Sequence, residues 1–175
     1  MKILNDSSTK YGSINKNKDF IYLATVLTAL AHDVCDKKYI RNVKSKLAAL
    51  NCTLCRIGFH QEIVTIVTNV VPRISFSKRL REGEPLDLSE EELFIYRIVS
   101  DADYLEAMGA TGVVRTYMFQ AVHGHTAKGA WTHTTQNLFK CYDYLHFTYS
   151  RKEGAVRLER MKRICDELKV ERDFM

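Results

Sequence analysis

Apolar residues recur every three or four positions in one segment after another of this chain, and that period marks helices with one buried face. In 20–31 the positions Phe20, Leu23, Ala24, Leu27, Leu30 and Ala31 follow it. The other faces of that segment are also fairly apolar, so it predicts a buried helix, with Asp19 placed to cap it. A second helix is expected over 38–50, with Tyr39, Ile40, Val43, Leu47 and Leu50 on one face, and Gly58 breaks the chain. The stretch 59–71 predicts a third helix that Pro72 ends, although its β-branched residues would also suit a strand. Ser89 with Glu92 three residues on forms a capping box and starts a helix reaching about Met108. Helices over 113–121, 136–148 and 154–174 follow, with loops expected at 73–87 and 123–135. Two prolines and eight glycines in 175 residues leave too little turn material for a β-sandwich or barrel. The reading is a single all-α domain over 19–175, preceded by a polar tail over 1–18.

The remaining composition narrows the classes further. Hydrophobic residues make up 46% and charged residues 27%, which excludes a mainly disordered or low-complexity chain. No apolar run approaches the roughly 18 residues of a membrane span, and the first residues lack the apolar stretch of a signal peptide. Five cysteines, an odd number without framework spacing, point to free thiols in a reducing, cytoplasmic setting. Cys52 and Cys55 have metal-type spacing but no second pair to complete a zinc site. Charge is uneven: 1–81 hold 14 Lys/Arg against 5 Asp/Glu, and 82–150 hold 4 against 10. The basic part suits a phosphate-bearing partner and the acidic part a cation; both also suit a solvated surface. The stretch Lys37, Lys38, Arg41, Lys44, Lys46 has little aromatic interleaving, which favours a solvated helix face over a nucleic-acid surface.

Two places could carry chemistry. His32 and Asp33 stand near the end of the first apolar segment. A carboxylate beside an imidazole on an apolar element needs a partner, and a divalent cation such as Mn, Mg or Fe would supply one. Alternatively Asp33 opens a turn and His32 is a satisfied core residue. Asp101 and Asp103 follow the apolar run 94–99. Positions i and i+2 lie on different helix faces, so only one of the two can point at a given ion.

The order of these blocks resembles the HD-domain superfamily of metal-dependent phosphohydrolases, in its small single-domain, nucleotide pyrophosphohydrolase-like branch. The resemblance runs through Leu27-Thr28-Ala29-Leu30-Ala31-His32-Asp33-Val34-Cys35-Asp36-Lys37-Lys38-Tyr39, Ile74-Ser75-Phe76-Ser77-Lys78, and Val99-Ser100-Asp101-Ala102-Asp103-Tyr104-Leu105-Glu106-Ala107-Met108-Gly109-Ala110-Thr111-Gly112. It implies an all-α HD-type bundle that holds a divalent cation through His32, Asp33 and Asp103. Asp101 would stand behind Asp103, and Asp36 would orient a water or a base. Lys38, Ser75 and Lys78 would border the phosphates of a small anionic substrate. The chain departs from the family pattern at three points. No histidine precedes His32, and the sequence begins about where the family's first metal-binding histidine and its helix are expected. Ile74 stands where relatives carry a histidine, and Tyr104 where they carry a basic residue. The resemblance therefore leaves two expectations. One is a hydrolase of a phosphate ester or anhydride, a nucleotide first. The other is a catalytically inactive HD domain that binds a nucleotide or a protein partner.

Overall fold

The computed structural model describes residues 17–35 and 42–171. Among them are eight α-helices, three 3-10 segments and no strand. The helices are α1 Lys18–Ala31, α2 Val43–Ile57, α3 Gln61–Val70, α4 Phe76–Glu82, α5 Glu90–Ala107, α6 Gly109–Val122, α7 Ala127–Gln136 and α8 Thr148–Val170. The 3-10 segments are His32–Cys35, Val71–Arg73 and Leu138–Tyr144. No described helix is long and apolar enough to cross a membrane. The chain forms two compact units that divide within α5, between Ser100 and Asp101.

The first unit is built on α3. Its Ile63, Val64, Ile66, Val67 and Val70 are all buried, and α1 and α2 pack against it. The β-branched residues of α3 thus serve as core rather than as a strand. The face α1 buries differs from the expected one. Ile21, Ala24, Thr25, Thr28 and Ala31 point inward, while Leu30 is 78% exposed. The two threonines enter the core because each hydroxyl donates to the carbonyl four residues earlier, Ile21 and Ala24, at 2.7 Å. The cap is Asn17, not Asp19: the Asn17 side chain accepts the Asp19 N–H at 3.1 Å. Helix α2 starts at Val43 because the Asn42 side chain accepts the Ser45 N–H, and it runs on to Ile57. Gly58 then closes it at φ 96°, a left-handed conformation that suits glycine. Tyr39 and Ile40 lie outside the described residues.

The capping box forms as expected: Ser89 N–H donates to Glu92 Oε2 at 2.9 Å, and Glu92 N–H to Ser89 Oγ at 3.3 Å. Glu92 also accepts from Asn69 Nδ2 at 2.8 Å, which ties the start of α5 to α3. The stretch expected to be a charged loop over 73–87 contains the short helix α4, capped by Ser75. A bidentate pair from Arg97 to Glu84, at 2.9 and 2.7 Å, fastens the connection after α4 to α5.

In the second unit α6 packs on α7 and α8, and both α7 and α8 pack on the Leu138–Tyr144 segment. The loop expected over 123–135 gives way to α7. Thr126 caps it by accepting the Gly129 N–H at 3.1 Å, and Ala130 and Thr134 are buried. A helix was expected over 136–148, and the structure has the tighter 3-10 segment instead. Asp101 stops it from continuing into the next helix. The N–H groups of His146 and Phe147 donate to that carboxylate rather than to carbonyls of a continuing helix. The chain turns there and restarts as α8. Gly112 lets α6 approach the end of α5: a Cβ there would stand 2.0 Å from the Ala107 carbonyl oxygen.

Candidate metal and phosphate site

His32 follows the last residue of α1, and Asp33 is the next residue of the 3-10 turn. The expected cost of burying this pair does not arise, because the Asp33 side chain is 70% exposed against 24% for His32. The pair sits at the rim of the first unit, with the carboxylate hydrated. What defines it is the ring. His32 Nδ1 lies 2.7 Å from the Ala29 carbonyl oxygen. A carbonyl only accepts, so Nδ1 carries a proton, and whenever the ring is neutral its lone pair is at Nε2. That atom is 3.4 Å from Asp33 Oδ1.

Two acceptors this close repel unless a proton or a cation joins them. Donor atoms about 2.1 Å from one ion lie roughly 3.0 Å apart at the right angle of an octahedral site and roughly 3.4 Å apart in a tetrahedral one. A backbone carbonyl that fixes the tautomer is also the usual partner of a metal-binding histidine. The pair therefore fits two ligands of one divalent cation. Among the described residues no group of three or more His, Cys, Asp and Glu side chains is assembled as a ready metal cage.

The turn His32–Cys35 packs against the turn Val71–Arg73 in the same unit. Two of the blocks singled out in the sequence are thereby neighbours, since Ser75 and Lys78 follow that second turn. The Ser75 hydroxyl accepts the Lys78 N–H at 3.4 Å as the cap of α4, and Lys78 Nζ lies 3.8 Å from Glu82 Oε2. Both side chains are half-buried. Arg73, between the blocks, pairs with Asp87, and its guanidinium holds that carboxyl below the usual carboxylate range. Asp36 and Lys38 lie outside the described residues.

The second unit holds the other two aspartates. Asp101 is 0% exposed. Its carboxylate accepts the His146 N–H at 2.9 and 3.1 Å, the Phe147 N–H at 3.1 Å and the His146 Nδ1–H at 2.7 Å. Three donors satisfy a buried carboxylate. They lie at the entry to α8, which has no side-chain cap of its own at Phe147. Asp101, 45 residues upstream, fixes the two residues that lead into it. Sequence reasoning passed over His146 because no local spacing links it to Asp101.

Asp103 is half-buried, near enough to Cys141 to act on its thiol. Burial, with the Asp103 charge adding to it, pushes that thiol up to about 12 from 9.0. The folded state thus keeps Cys141 neutral where the unfolded chain ionises it. The resulting stability is fully present below the ordinary thiol value and is lost as pH rises towards about 12. Wild type is therefore expected to lose more stability than Cys141→Ala between pH 8 and pH 10.5, so that the gap between their urea midpoints narrows. A gap that stays constant over that range would show the thiol to be unperturbed.

The chain shares its helical fold with solved proteins, one of them described as an HD-superfamily hydrolase. An HD-superfamily hydrolase from Bacillus thuringiensis superimposes with a TM-score of 0.65 at 18% identity, over 98% of this chain and 82% of that one. The uncharacterized protein YpgQ of Bacillus subtilis is similar in sequence as well, at 29% identity over 134 residues. That match spans 74% of this chain and 62% of YpgQ, less than two thirds of the relative's length. A crystal structure of YpgQ superimposes with a TM-score of 0.70 at 26% identity, over 97% of this chain and 85% of YpgQ. YpgQ has also been solved in complex with ADP, and that structure gives a TM-score of 0.68 at 22% identity. No protein-family model matches the chain.

Proposed function

We propose that this protein is a divalent-metal-dependent phosphohydrolase acting on a phosphate ester or anhydride, with a nucleotide as the first substrate class. The observation that carries the reading is the His32–Asp33 pair, with Nε2 3.4 Å from a carboxylate oxygen. The HD-superfamily fold and the ADP bound by YpgQ support it. His32, Asp33 and Asp103 are the proposed ligands of Mn, Mg or Fe. A cation held by them would supply Lewis-acid activation of water and of a phosphoryl oxygen.

The chain's own residues do the rest. The Ala29 carbonyl keeps the His32 proton on Nδ1, so the ring stays a ligand. The Asp33 and Asp103 carboxylates balance the charge. The Lys78 ammonium and the Ser75 hydroxyl donate to phosphate oxygens, and Lys38 offsets the negative charge that develops there. Asp36 orients the attacking water. The five thiols, all free, suit a cytoplasmic setting.

The test is release of phosphate or pyrophosphate from a panel of nucleoside mono-, di- and triphosphates with Mn²⁺, in wild type, Asp33→Asn and Asp103→Asn. The expected result is turnover by wild type and a loss of at least about a hundredfold in each variant. No turnover across the panel would overturn the hydrolase reading. Calorimetric nucleotide binding without turnover would then establish the inactive, nucleotide-binding HD domain in its place.

A further inference from the structure

Helix α6 is apolar on nearly every side. Its one charged residue is Arg115, whose guanidinium is paired with Glu106 at 2.7 Å. A helix that is apolar all round is normally buried all round. Here one side is: Gly112 and Val113 are buried, and α7 and α8 pack against α6 within the second unit. The outer side carries Val114, Met118 and Val122, which are 56%, 64% and 83% exposed, with Phe119 beside them at 39%. The first three stand four residues apart and form one ridge along the helix. The four present roughly 400 Å² of apolar surface, the size at which a patch on a monomer is often functional. The other large apolar side chains exposed among the described residues of this unit, Val156 and Val170, stand singly on α8.

We propose that this ridge is the contact between two copies of the chain, which pair through α6 about a twofold axis at Met118. The inference stands independently of the proposed function. Two observations choose a second copy over another partner. The first is charge. A twofold contact sets one patch against itself, so a net charge in it would repel. The ridge has none, since Arg115 is already balanced by Glu106, and an oppositely charged partner finds nothing on it to pair with. The second is spacing. Val114 and Val122 lie at equal intervals on either side of Met118. When two such helices run antiparallel, Val114 of each copy meets Val122 of the other, and the two Met118 side chains meet at the axis. Ridges of this kind interlock at about −50°, and the flexible thioether fits itself to its own copy. The antiparallel sense also sets the two helix dipoles head to tail. With the smaller residues and polar rim around it, the contact buries about 1,000 Å² in all, the lower end for a specific interface. The dimer is therefore reversible, with a Kd on the order of 10 µM.

The experiment is sedimentation velocity of the full chain from about 1 to about 200 µM, a span that brackets this Kd. Reducing conditions keep the exposed Cys52 and Cys55 from cross-linking. Wild type is expected to pass from monomer to dimer over that range. Met118→Glu sets two carboxylates face to face at the axis and should weaken dimerisation at least tenfold. Helix content by circular dichroism should not change, because the side chain faces solvent in the monomer. Met118→Lys should act in the same way alone, and an equal mixture of the two variants should recover a dimer. Val156→Glu is the control, since Val156 lies roughly 200° around α8 from the buried Gly154, and it should dimerise as wild type does.

Wild type that stays monomeric at the highest concentration overturns the proposal. So does a dimer that survives Met118→Glu, because it would use another face. A mixture of the two Met118 variants that stays monomeric also overturns it, since residue 118 would then not meet its own counterpart. An equal loss in Val156→Glu would do the same, by showing that any added surface charge disperses the dimer.

Discussion

Gly112→Ala is expected to destabilise the protein by about 3 kcal/mol or more, because the added methyl meets backbone rather than a side chain that can swing away. The new Cβ would fall 2.0 Å from the Ala107 oxygen and 2.6 Å from its carbonyl carbon. Relief requires α6 to shift away from the end of α5, which loosens the packing of the buried Val113 and Met108. For a chain of this size the midpoint of thermal unfolding should fall by roughly 6–12 °C. Gly124→Ala gives the comparison. Gly124 adopts a φ of 73° with no atom within 4 Å of its added Cβ, so it carries only the left-handed backbone cost of about 1 kcal/mol. Equal effects at the two glycines would show that α6 and the end of α5 are not in close contact.

Asp101→Ala is expected to have an effect of similar size, about 3–5 kcal/mol. It strips the acceptor from two backbone N–H groups and from the His146 ring in a place water does not reach. An uncompensated buried donor costs more than the lost bond was worth. Urea unfolding of the variant is the measurement, and the start of α8 should lose amide protection first. A midpoint within about 1 kcal/mol of wild type would mean that α8 begins without help from α5.

These expectations rest on the features that were hardest to read in the sequence. The capping box at Ser89 and Glu92, the break at Gly58 and the core face of α3 are local patterns, and the structure has each of them. The buried face of α1 was misjudged because Thr25 and Thr28 count as polar until their hydroxyls are seen to be satisfied within the helix. The segment Ala127–Gln136 holds Thr, His and Gly at positions that disfavour a helix, and packing of Ala130 and Thr134 overrides that preference.

Legibility differs in kind at the candidate site. His32 and Asp33 are legible as a pair, but the burial that an apolar helix implies does not hold for Asp33. The lone pair that the Ala29 carbonyl directs to Nε2 depends on a backbone bend that residue types alone do not reveal. Asp101 and His146 are joined across 45 residues, and no spacing rule spans that interval.

That interval has a consequence for how the protein is made. As the chain is synthesised, α5 emerges with an acidic side chain destined for a dry interior, while its three donors are still untranslated. At about 5–20 residues per second the ribosome needs roughly two to nine seconds to deliver them. Throughout that delay the end of α5 keeps a hydrated charge that opposes early burial, so the second unit closes only after residue 147 is available. A nascent chain halted short of that point should remain open to protease around Asp101, and one released after α8 is complete should not.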